Sequence, residues 1–102
     1  RKPRGGFKML TKEEVLKRIK EGSGDALKGA SVFLRANKNL VLAAVKVNGL
    51  ELRYAKANLQ SDKQVVMAAL ENDGEALEYI ADVLKDDPEV LLAALSSMDR
   101  KA

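Results

Sequence analysis

Three groups of residues in this chain have types and spacings that could do chemistry. Asp82, Asp86, Asp87 and Glu89 crowd four carboxylates into one short stretch. Such a cluster could hold a hard cation. A calcium loop, however, sets its acids at alternate positions around a glycine and ends on a glutamate at the twelfth, and this run does not. Asp87-Pro88-Glu89 reads instead as a helix start, with a capping acid, a proline at the first helical position and an acid in the first turn. The second group is Tyr54 and Tyr79. They could form a stacking ladder for a ligand or a base, or fill core slots with their hydroxyls at a polar edge. Leu52 and Leu77 before them and Leu59 and Leu84 after them recur at the same interval as the tyrosines, which favours the core slots. The third group is basic: Arg1, Lys2, Arg4 and Lys8, interleaved with Pro3, Gly5, Gly6 and Phe7. It could attract phosphates, form a disordered leader, or lie as an arm on an acidic partner. No Gly-Lys-Ser/Thr follows the glycine pair, so it is not a phosphate loop.

Histidine, cysteine and tryptophan are absent. Thiolate or imidazole catalysis, disulfides and Cys- or His-ligated metals are thereby excluded. No two carboxylates are singled out for acid–base work. The expectation is a protein that is not an enzyme and uses no cofactor and no metal. The longest apolar runs, 40–45, 65–70 and 90–95, are six residues each, whereas a membrane span needs roughly 20. No secretory signal stands at the start. The chain begins at Arg1, as a processed product or a fragment of a longer array would. A soluble or peripheral protein, cytoplasmic or organellar, is expected. The net charge of +3 hides a gradient: residues 1–20 carry +6, residues 21–61 carry +3, and residues 62–99 carry −8.

The elements that position these groups come from a repeat. The three apolar runs start at Leu40, Val65 and Val90, evenly spaced. Laying 37–61 on 62–86 gives eight identities, among them Lys38/Lys63, Val41/Val66, Ala43/Ala68, Ala44/Ala69, Gly49/Gly74 and Tyr54/Tyr79. A third copy begins at Asp87. A degenerate one precedes them, with Leu16, Gly24, Leu27, Ala30 and Leu34 in phase. Each unit reads as two helices. Thr11, Asn37, Asp62 and Asp87 are caps, Thr11 with Glu14 making a capping box. The first helix ends near Gly24, Gly49 or Gly74, where a left-handed glycine could stop it. Ala76, Leu77, Ile80, Ala81, Val83 and Leu84 predict a second helix over 75–84. The Ala-Ala pairs 43–44, 68–69 and 93–94 allow close helix approach. The expected fold is all-α, a short solenoid-like array of about three and a half helical hairpins. The expected boundaries are a basic arm at 1–11 and a helical domain at 12–102, with units at 12–36, 37–61, 62–86 and a truncated 87–102. Sign changes at 46/71 and 53/78 predict charge pairing between neighbouring units.

The pattern Asn37-Lys38 through Asn48-Gly49 to Tyr54-Ala55, repeated from Asp62 to Tyr79, resembles domain of unknown function 4116. It covers 37–99 well and 12–36 weakly, and leaves 1–11 outside. The degenerate copy has Gly29 in the tyrosine place and Arg18-Ile19 in place of the alanine pair. The resemblance implies a tandem helical repeat of a kind common in protists and algae. It brings no reaction and no catalytic residues.

The last unit keeps its first helix and loses its second, so Val90, Leu91, Leu92, Ala94, Leu95 and Met98 cannot all be covered by the preceding repeat alone. Repeat arrays need polar end faces, and a bare apolar helix implies a partner, a second copy or a longer array. The expected function is a protein–protein interaction module or accessory subunit of a larger assembly. It would dock through Arg1, Lys2, Arg4 and Lys8 on one side and Leu91, Leu92, Leu95 and Met98 on the other. The alternative is an electrostatic binder of nucleic acid or anionic membrane through residues 1–20.

Overall fold

The computed structural model describes residues 9–101, with side chains through residue 100. The chain is all-α. The α-helices are α1 (Lys12–Lys20), α2 (Val32–Arg35), α3 (Lys38–Val47), α4 (Ala57–Gln60), α5 (Lys63–Asn72) and α6 (Pro88–Lys101). Between them lie 3-10 segments at Gly49–Tyr54, Gly74–Tyr79 and Asp82–Leu84. Among the described residues the extended pairing is limited to one parallel bridge, Leu10 to Ala30.

The caps stand where the sequence places them. Thr11 Oγ1 accepts from the Glu14 amide at 3.2 Å, and Glu14 returns a carboxylate oxygen to the Thr11 amide at 2.8 Å. Asn37 accepts from the Leu40 amide, Asp62 from Gln64 and Val65, and Asp87 from Glu89 and Val90. Each bond satisfies an amide that the first helical turn leaves without a partner.

The apolar runs form the core. Val15, Leu40, Val65 and Val90 hold the same place in successive units and are all buried, as are Leu27 and Leu52. The second alanine of each pair, Ala44, Ala69 and Ala94, is buried, and the first is half-buried. The buried residues of α3 (Leu40, Val41, Ala44, Val45) and α5 (Val65, Val66, Ala69, Leu70) fall on one broad face, with Leu42, Ala43, Met67 and Ala68 half-buried beside it, so the six-residue runs are not covered all round.

Three expectations are corrected. The helix predicted over 75–84 is broken: Gly74–Tyr79 is a 3-10 segment, Ile80 and Ala81 are extended, and Asp82–Leu84 is a separate turn. The extended stretch lets the Ala81 amide donate to the Gln60 carbonyl at 2.9 Å, as Lys56 donates to Arg35 at 3.1 Å one unit earlier. In a continuous α-helix those amides would be committed to carbonyls four residues back.

Gly49 and Gly74 do not stop their helices through left-handed geometry. α3 and α5 end on extended Asn48 and Asp73, and among the described residues Gly22 alone has a positive φ, 79°. What Gly49 and Gly74 supply is proximity. A Cβ on Gly49 would collide with the Ala69 carbonyl oxygen, and one on Gly74 with that of Ala94.

The ion pairs between units also differ from expectation. Lys38 meets Asp62 at 2.9 Å, and Lys63 meets Asp87 at 3.0 Å and Glu89 at 2.7 Å. Each lysine follows one cap and reaches the next, and the pairing holds Asp62 and Asp87 below the ordinary carboxylate range. Arg53 instead covers the Tyr54 ring at 4.7 Å. These pairs are exposed, so screening leaves them little weight. Lys63→Met is expected to leave the urea midpoint almost unmoved at physiological salt.

Candidate docking surface on the last helix

α6 has two unlike sides. Val90, Ala94 and Ser97 are buried against the preceding unit, and the Ser97 hydroxyl accepts from the Gly74 amide at 3.1 Å. Leu91, Leu92 and Leu95 face outward, 37%, 66% and 59% exposed. Their counterparts one unit back, Val66 and Leu70, are fully buried, and Met67 is half-buried. The same repeat positions are therefore core in α3 and α5 and surface in α6. Met98 lies at the edge, 36% exposed, with its Cγ close against Gly74.

Acidic groups rim this face. On one side a groove beside Leu92 is lined by Met67, Glu71, Glu89 and Arg100, and Arg100 donates to the Glu71 carbonyl at 2.8 Å. On the other, Glu75, Glu78 and Lys85 stand around Leu77 and Met98. The face is thus an apolar strip whose borders carry four acidic side chains, Glu71, Glu75, Glu78 and Glu89, and two basic ones, Lys85 and Arg100.

The structure thus brings Leu91, Leu92 and Leu95 together on one outward face, with Met98 at its margin. Arg1, Lys2, Arg4 and Lys8 lie outside the described residues. Leu10, next to them, is anchored: its amide donates to the Gly29 carbonyl at 3.1 Å, and its side chain is half-buried on the core. Tyr54 and Tyr79 are half-buried against the core. Among the described residues no cluster of acids is placed to hold a metal, and no helix is long and apolar enough to cross a membrane.

Two polar devices escape a reading by apolar pattern. Asn72 Oδ1 accepts from the Gly49 amide at 2.7 Å, while its Nδ2 donates to the Lys46 and Val47 carbonyls. Ser97, at the same place in the next unit, makes the matching bond to Gly74. Glu51, 1% exposed, accepts from the Ala26 and Leu27 amides at 2.7 and 3.2 Å. Glu51 left one signal in the sequence, an acid at a position held by Ala26 and Ala76 in the neighbouring units.

Taken together, these features define an all-α chain in which two glycine amides, those of Gly49 and Gly74, are held by the polar side chains of Asn72 and Ser97. The chain belongs to the family described as Domain of unknown function (DUF4116), whose model matches residues 11–60 and 62–98. The match takes in the degenerate first unit along with the later ones. No curated protein and no solved structure matches the chain.

Proposed function

We propose that the chain is a short, solenoid-like stack of helical units serving as a non-enzymatic protein–protein interaction module or accessory subunit. Its docking element is the outward face of α6. The observation that supports this reading is the contrast at matched positions: Val66 and Leu70 are buried, while Leu91 and Leu95 are open. Covering a fully exposed large apolar side chain contributes about 1.5–3 kcal/mol. Leu91, Leu92 and Leu95 are already partly covered, so they would act as the apolar anchor of a contact that needs further surface to offset the cost of association. The partner that fits carries an apolar helix with basic flanks. The basic residues Arg1, Lys2, Arg4 and Lys8 would be a second contact.

Leu92→Glu with Leu95→Glu tests the reading. Both side chains are exposed, so stability should change by less than about 0.5 kcal/mol. Capture of the partner, identified by pull-down from the native source, should be lost. Undiminished capture would remove α6 from the interface. Deleting 88–102 is a poorer test, because it also removes buried Val90, Ala94 and Ser97. If residues 1–20 instead bind nucleic acid, affinity will fall steeply with salt and vanish on deleting residues 1–8.

A further inference from the structure

The first unit departs from the repeat at several positions, and the departures meet in one place. Arg18 stands where later units carry Ala43, Ala68 and Ala93. Gly29 replaces the tyrosine of Tyr54 and Tyr79, and Arg35 occupies the place of Gln60 and Lys85. Arg18, Gly29 and Arg35 line a single cleft together with Lys28, Asp25 and Met9.

The missing ring explains the space. At this position later units half-bury a tyrosine against the core. In the first unit the Leu10 side chain comes within 3.3 Å of where a Gly29 Cβ would stand, and a cleft remains beside it.

The charge is unbalanced. Three cations face one carboxylate, and that carboxylate is already engaged: the Ser23 hydroxyl donates to Asp25 at 2.7 Å. This bond, then Arg18 and Lys28, holds Asp25 below the ordinary range. Among the described residues none of Arg18, Lys28 and Arg35 forms an ion pair.

Arg35 supplies an independent observation. Its counterparts are both partnered: Gln60 donates to the Leu52 carbonyl at 3.0 Å, and Lys85 pairs with Asp82 at 3.4 Å. Arg35 Nε is buried with no hydrogen-bond partner, alone in this among the described side chains. A buried donor left unpaired is costly. Nε is enclosed in this arrangement, so an oxyanion in the cleft would satisfy it only after the Arg35 side chain turns to present Nε and the neighbouring Nη, the fork geometry that guanidinium offers to phosphate.

We propose that this cleft binds the terminal phosphate of a small phosphate monoester. Three cations against one acid suit a dianion better than a carboxylate. Among the described residues Arg18, Lys28 and Arg35 share one cleft, an arrangement that suits a terminal phosphate better than the extended cationic groove a polynucleotide backbone follows.

The test is calorimetric titration of the full chain with phenyl phosphate at fixed ionic strength. Acetate and a phosphodiester, dimethyl phosphate, serve as control ligands. Saturable binding of phenyl phosphate is expected, with both controls weaker by about tenfold or more. Arg18→Ala installs the residue of the later units at an exposed position and so should keep the fold, checked by its urea midpoint. Arg35→Lys keeps the charge and removes the fork. Each should weaken binding by about tenfold. Absence of saturable binding, equal affinity for the diester, or affinity unchanged in both variants would overturn the site.

Discussion

Gly49→Ala and Gly74→Ala should each cost about 2–6 kcal/mol in urea unfolding, a large part of the stability of a domain this size. The cause is not helix propensity. The new Cβ would sit on the carbonyl oxygen of Ala69 or Ala94. That oxygen belongs to a helix backbone and cannot swing aside as a side chain would. Relief requires the units to part, and parting them pulls Asn72 from the Gly49 amide or Ser97 from the Gly74 amide. Overpacking of about 1–3 kcal/mol then adds to a stranded amide of about 1–3 kcal/mol. Gly22→Ala is the control. Gly22 has φ +79° and nothing within 4 Å of its would-be Cβ, so its cost is backbone strain alone, about 1–2 kcal/mol. Should Gly49→Ala and Gly74→Ala prove no more damaging than Gly22→Ala, close approach is not what these glycines supply.

The glycines show where reading the sequence succeeds and where it stops. Their period and their association with the alanine pairs are plain in the sequence, because both lie on the repeat. Their job is not, because a glycine that ends a helix and one that lets a carbonyl approach look the same in a single chain. The caps at Thr11, Asn37, Asp62 and Asp87 were legible because they act on amides in the turn that follows them. The break at Ile80 and Ala81 was not, since it answers to the Gln60 carbonyl at the end of the preceding unit. Helical spacing of the apolar residues cannot report a backbone bond to another unit. The outward set Leu91, Leu92 and Leu95 could be read because the repeat states which positions need cover. The cleft at Arg18, Gly29 and Arg35 could not: its residues are recognised only as departures from a pattern, and their convergence needs coordinates.

Glu51→Ala should cost about 2–4 kcal/mol, because it strands two buried amides. In the later units the amides matching that of Ala26 are satisfied locally: the Glu51 amide donates to the Asn48 carbonyl and the Ala76 amide to that of Asp73, both at 3.0 Å. The turn over 24–29 is not a regular 3-10 segment, and its Ala26 and Leu27 amides go to the Glu51 carboxylate instead. An alanine therefore suffices at 76 and does not at 51. Glu51→Gln keeps the volume but can accept through one oxygen, so one amide would face an NH2 group and an intermediate loss is expected. The same site makes stability depend on pH in an unusual direction. Burial raises the Glu51 carboxyl above its ordinary value of 4.5, against the pull of the Leu27 and Ala26 amides. The native state thus holds the proton at pH values where the unfolded chain has released it. Between those two points the native state binds more protons, so the contribution of Glu51 falls as pH rises through the window and stays lower above it. Asp62 and Asp87, held below their ordinary value, work the other way and lose their contribution as pH falls. Subtracting one protein from the other isolates Glu51, since Glu51→Gln leaves Asp62 and Asp87 in place. Urea unfolding of both from about pH 4 to pH 8 should show the stability of the parent relative to Glu51→Gln decreasing as pH rises out of the ordinary carboxylate range. A flat difference, or one that grows toward alkaline pH, would mean that the two amide bonds outweigh burial and that Glu51 is as comfortable ionised inside the protein as in water.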